Sequence, residues 1–232
     1  MVLQGFASKI IVIDRETSSN PTTTMPSSSL TQLYRAFLLE TEWILSSFQV
    51  SLVSINTEDD PNNTAYLSIE MTIIRLHDAW ARFNRELIIM SAAKQPITAG
   101  GRIIPRADRI NTCSDVLPKY FSTFTTPNNT EPKWAHPAET IAAARKIGVA
   151  NYSTIAAALG AVGSPIEELR LARNFFAHKC WDTVRKIRGS GVYPRNQDCK
   201  VESIAAVVVP GATTRMEYWI IWLRIVAEAC IQ

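Results

Sequence analysis

Several features that would announce a function are missing. No Cys-x-x-Cys occurs, and the four cysteines (Cys113, Cys180, Cys199 and Cys230) and three histidines (His77, His136 and His178) show no metal-ligand spacing. That excludes a structural zinc site of the usual kind, and no cofactor is called for. The cysteines read as free thiols of a reducing cytosol. No apolar run approaches the roughly 20 residues that span a bilayer, so no membrane association is expected. The run Ile10-Ile11-Val12-Ile13 is followed at once by Asp14 and Arg15 and lacks a small-residue cleavage site. It reads as a short strand rather than a signal peptide. There is no glycine-rich phosphate loop and no serine-nucleophile elbow, and Gly100-Gly101 is only a turn. Strong net charge is also lacking. Lys and Arg number 24 against 21 Asp and Glu, a balance of +3, so any nucleic-acid contact must come from a local patch.

What is present is a core. Of 232 residues, 47% are hydrophobic and 19% charged, a composition that can bury an interior in one domain with tails or inserts. Residues 17–29 are rich in Ser, Thr and Pro and read as a linker between the short strand and a body spanning 30–232. Leu33, Phe37, Ile44, Phe48 and Leu52 recur mostly at three- and four-residue steps, which predicts a helix over 30–55. The stripe Ile69, Ile73, Leu76, Trp80, Phe83, Leu87 and Met90 predicts a second over 64–92, antiparallel to the first across a short polar turn. Residues 95–132, punctuated by Pro and Gly, read as an insertion with one short helix near 113–122. Helices are expected again at 135–147, 151–160 and 165–188, the last opened by Ser164 and Pro165 and closed by Gly189 and Gly191. A strand is expected at Ile204 to Val209. A final helix begins with the capping box Thr214-x-x-Glu217. The fold class is mainly α, an antiparallel helical bundle with a long insert and minor β-strands.

Chemistry concentrates between Glu167 and Arg188. Ile166, Leu169, Phe176, Cys180, Val184 and Ile187 form one apolar stripe, and Arg173 falls in its middle. A charge facing a core needs a partner or a function. The structural choice is an ion pair, for instance with Glu86. A second face carries Leu171, Phe175, His178 and Trp181, available to a second subunit. Asn174 and His178 are four apart and share a face, whereas Arg173 and His178 lie about 140° apart around the helix.

The run Arg173-Asn174-Phe175-Phe176-Ala177-His178 resembles the signature of HEPN domains: Arg, a polar residue, three residues, then His. In that family the motif lies on a long helix of a bundle. The resemblance implies a HEPN-like helical domain and a dimeric, metal-independent endoribonuclease of a toxin–antitoxin or antiviral-defence system. Arg173 would hold the scissile phosphate, His178 would move protons or hold the 2′-hydroxyl, and Asn174 would orient one of them. The residue types suit the task. RNA brings its own nucleophile, histidine exchanges protons near neutral pH, and arginine forks onto phosphate oxygens. One departure stands out. HEPN toxins silenced by a minimal nucleotidyltransferase carry a tyrosine two residues after the histidine. Cys180 occupies that place here, which excludes adenylylation there.

Lys179, Arg82 and Arg85 are the further candidates for RNA contact; the other charges of the second helix read as a solvated face. His77 and His136 have no partner pattern. The expected partners are RNA, a second copy of the chain in a cytoplasmic homodimer, and an antitoxin or regulatory protein. The competing reading is a non-catalytic helical adaptor, or a subunit that only binds nucleic acid.

Overall fold

The computed structural model describes residues 29–55, 64–120, 131–161, 163–190 and 204–232. The strand expected near Ile10 and the linker lie outside them. The architecture is a mainly α helical bundle. Helix α1 (Leu30–Ile55) and helix α2 (Thr64–Ala93) form its longest pair. They run antiparallel: Trp43 meets Arg75, Glu40 meets Arg82, and Phe37 meets Trp80 and Phe83. Every residue of the α2 stripe is buried, as are Phe37, Ile44 and Phe48 of α1. The packing follows the three- and four-residue spacing of the sequence because only one face of each helix can meet the other.

The insert is built into the body. Ile104, Ala107, Ile110 and Val116 are buried in the common core. Backbone bonds run from Leu30 N–H to the Ile97 carbonyl (3.0 Å), from Ala99 N–H to the Ile231 carbonyl (2.8 Å) and from Ala107 N–H to the Ala92 carbonyl (2.9 Å). The segment thus clasps the start of α1, the end of α2 and the last residues. The short helix expected within it is α3 (Cys113–Tyr120).

Helix α4 (Pro137–Ile147) ends at Gly148, whose φ of 74° is left-handed, and its N–H caps the Ala144 and Arg145 carbonyls. Helix α5 (Tyr152–Gly160) follows. The helix expected as one piece over 165–188 is two: α6 (Ser164–His178) and α7 (Trp181–Gly189). Lys179 stops α6 with a left-handed φ of 44°, its N–H reaching back to the Phe175 carbonyl at 2.8 Å. Cys180 is extended and stands at the N-cap of α7. At the break the Lys179 ammonium pairs with Glu70 on α2 at 2.8 Å.

Helix α8 (Arg215–Cys230) closes the bundle. The Thr214 hydroxyl accepts the Glu217 N–H at 3.2 Å, as the capping box requires, and the Glu217 carboxylate accepts the Thr213 N–H at 2.7 Å. Arg224 locks α8 to α1 by donating to the Thr41 hydroxyl and to Glu42, at 2.8 and 2.9 Å. The strand expected over 204–209 does not form. Ile204 and Ala205 are helical, and Val209 makes only an isolated bridge to Ala212. Ile204 and Ala205 are fully buried in the common core, which removes the alternation of buried and exposed faces that a half-buried strand needs. Among the described residues no helix is long and apolar enough to cross a membrane.

Candidate functional site

The motif occupies the C-terminal half of α6. Pro165 lies in the first turn of the helix, which Gly163 precedes at the N-cap, and Ile166, Leu169, Ala172 and Phe176 bury the inner face. Burial of that stripe fixes the rotation of the helix and leaves Arg173 and Asn174 half-buried at its margin, with His178 exposed at its last position. Leu171 and Phe175, expected to await a second subunit, are already buried within the chain, and of that face Trp181 stays 75% exposed beside His178.

Arg173 donates through Nη1 to Asn174 Oδ1 at 3.3 Å. Its Nε is buried and has no acceptor. It forms no ion pair with a carboxylate among the described residues, and Glu86 is turned instead to Arg85 at 3.1 Å. A half-buried guanidinium without a counter-ion keeps its capacity for an incoming anion.

Asn174 and His178 share a cavity of about 330 Å³, completed by Arg170, Leu171 and residues of α7, Lys186 among them. Arg173 opens instead into a neighbouring cavity of about 650 Å³, shared with His77, His136, Arg170 and Asn174. Arg170 and Asn174 therefore form a ridge between the two. One protomer does not bring Arg173 and His178 into one cavity, as their angular offset on the helix anticipates.

The remaining candidates lie apart. Lys179 is held by Glu70. Arg82 pairs with Glu40 and lines a groove with Leu33 and Phe37. Arg85 pairs with Glu131 at 2.9 Å and faces a cavity beside α3. Neither Arg82 nor Arg85 lines the two cavities of the motif. Arg82 is turned about 140° from His77, which does face α6, and Arg85 stands about 12 Å further along α2. The Arg85 bond holds the Glu131 carboxyl below the usual carboxylate range, and that ion pair helps anchor the turn before α4.

Three residues that the motif did not indicate join it. His77 is mostly buried; burial lowers its pKa, its bond to Asp78 opposes this, and the nearby Arg173 and Arg170 lower it further. His136 stands at the N-cap of α4 without capping it through its side chain, and its Nδ1 is buried without a partner. Arg170 is held by Glu167, with Nε to Oε2 at 2.7 Å. The spacing Arg170-x-x-Arg173 was a usable signal, since such residues share a helix face. No local signal marks the two histidines.

Cys180 is the exposed thiol of the site. Hydrogen bonds from the Thr183 backbone and hydroxyl lower its pKa, whereas burial pushes Cys230 up to about 12. A thiolate is favoured at lower pH where the pKa is lowered. Iodoacetamide is therefore expected to label Cys180 well before Cys230, with a rate already substantial below the ordinary thiol range. Peptide mapping across a pH series checks this; equal labelling of both would contradict it.

Comparison of the chain with protein-family models, curated proteins and solved structures finds no match.

Proposed function

We propose that the chain is a metal-independent endoribonuclease of HEPN type, acting as a cytoplasmic toxin or antiviral-defence effector. The observation that carries this reading is Arg173, a half-buried guanidinium with no carboxylate partner among the described residues, bonded to the Asn174 that lines the His178 cavity. Arg173 neutralises a phosphate and stabilises the charge that builds on it in the transition state. His178, exposed at the helix end, takes the proton of the 2′-hydroxyl or gives one to the leaving 5′-oxygen. Asn174 orients the guanidinium.

Cleavage needs a base and an acid, and the motif supplies one histidine. A two-fold homodimer brings two Arg173–His178 sets together, so that the His178 side chains of opposite chains supply base and acid. The exposed Trp181 beside His178 is suited to such a contact. A ribonuclease of this kind needs restraint. An antitoxin or regulatory protein has a surface to meet on the first helical hairpin, where the half-exposed Trp43, Leu67 and Met71 line a groove.

The test is incubation of a mixed RNA pool with excess EDTA, followed by mapping of the product ends. The expected ends are 2′,3′-cyclic phosphate and 5′-hydroxyl. Ends with a 3′-hydroxyl, or activity that disappears with EDTA, would overturn the reading.

A further inference from the structure

The cavity of about 650 Å³ beside Arg173 is a site in its own right. Its walls come from three segments that are firmly tied together. From α2 come His77 and Ala81; from α6 come Arg170 and Arg173; from the turn before α4 come Lys133 and His136. That turn is fixed at one carbonyl. Trp134 O accepts from the buried Asn84 side chain and from the Thr140 hydroxyl, each at 3.0 Å. Glu131 adds bonds to Arg85 and to the Trp134 indole, at 2.9 and 2.8 Å. Lys133 and His136 are thus held on a preorganised frame.

The electrostatics are one-sided. Lys133, Arg170 and Arg173 bring three positive charges to the wall, against the Glu139 carboxylate within it and the Glu167 carboxylate bonded to Arg170, which leaves an excess of one. Glu139 accepts the Lys133 N–H at 2.8 Å. The Arg173 Nε and the His136 Nδ1 are buried and unpartnered. A buried polar atom left unpaired costs about 1–3 kcal/mol, and the two residues that carry these atoms both line this cavity. A carboxylate ligand would answer one or two such groups. A phosphate, with several acceptor oxygens, suits the positive excess and the Arg173 guanidinium, which has no carboxylate partner among the described residues. The volume exceeds what a bare anion fills.

We propose that this cavity binds the phosphate group of a nucleotide, whether free or within an RNA strand, through Arg170, Arg173, Lys133 and His136. The assignment does not depend on cleavage at His178. Arg170 and Asn174 line both cavities, so this site adjoins that of His178.

The experiment is calorimetric titration of the full chain with inorganic phosphate, with AMP and with hexa-adenylate. The last is titrated against His178→Ala so that no cleavage consumes it. Lys133→Glu and His136→Gln, both outside α6, are each expected to weaken AMP binding about tenfold. Arg145→Glu, an exposed reversal on α4 outside the cavity wall, is expected to leave it unchanged, and thermal melts confirm folding of all three. Tighter binding of AMP than of the oligomer assigns the site to a free nucleotide; the reverse assigns it to an RNA strand; both support the proposal. Failure of all three probes to bind at millimolar concentration would overturn it, as would equal weakening by Arg145→Glu. Bound phosphate with no RNA cleavage would leave this site standing and remove the ribonuclease reading alone.

Discussion

Arg173→Ala is expected to slow RNA cleavage by about 10²–10³-fold, the scale on which removal of a preorganised charge donor acts. The same change is expected to cost little stability. Among the described residues Arg173 has a single side-chain bond, to Asn174, and no carboxylate partner that its loss would strand. Where a buried ion pair is broken the loss is about 3–5 kcal/mol, because a charge is left uncompensated; here none is. Arg173→Lys keeps the charge and loses the fork, so its rate falls between the two. His178→Ala is expected to slow cleavage by about 10²–10⁴-fold, the range for a proton-transfer group. Its exposed position at the end of α6 keeps the stability change within about 0.5 kcal/mol. Single-turnover cleavage and thermal melts on the same preparations separate the two effects. If Arg173→Ala melts much earlier and cleavage merely follows the folded fraction, the arginine is structural and the adaptor reading gains.

The hairpin of α1 and α2 was legible because each helix buries one face against a long neighbour, so that the period of the apolar residues records the contact. The start of α8 was legible because a capping box is local chemistry. The break between α6 and α7 was not. Nothing in His178-Lys179-Cys180-Trp181 interrupts a helix by propensity. At the left-handed turn Lys179 meets Glu70, more than a hundred positions earlier, a contact that no local pattern shows. The segment 204–209 misled for a related reason: its β-branched residues favour a strand, yet the core takes up Ile204 and Ala205 as helix. The candidate site divides in the same way. Arg173, Asn174 and His178 follow from their spacing on one helix. His77 and His136 reach it only through tertiary packing, His77 by the rotation of α2 and His136 by the bonds at the Trp134 carbonyl. The pairing of Arg82 and Arg85 with Glu40 and Glu131 is equally a tertiary event, and it takes both arginines out of the motif's surroundings.

That frame depends on the aromatic cluster beneath it, and Trp80→Ala is expected to destabilise the chain by about 3–5 kcal/mol. Trp80 is fully buried, its ring stacked on Phe83 at 5.7 Å between centroids and tilted against Phe37 at 6.0 Å. Phe37 and Phe83 touch in turn at 5.0 Å, so the three rings join α1 to α2 as one unit. The surroundings of a lost indole cannot collapse fully when two other rings hold the walls apart. The consequence for a chain of this size is a melting temperature lower by roughly 10 °C. Trp80→Phe separates the causes. The indole N–H is buried without a partner, so its removal forfeits no hydrogen bond and relieves a polar group that costs about 1–3 kcal/mol. Phenylalanine keeps most of the ring contacts, and the net loss is expected to stay below about 1.5 kcal/mol. His77 lies one turn before Trp80 on the same helix, so a loosened α2 shifts a wall of the basic cavity as well. Trp80→Ala is therefore expected to weaken AMP binding at temperatures where the chain is still folded, while Trp80→Phe leaves it intact. Chemical denaturation gives the stabilities and titration the affinities; equal losses for the two substitutions would show that the N–H, rather than the ring packing, carries the contribution of Trp80.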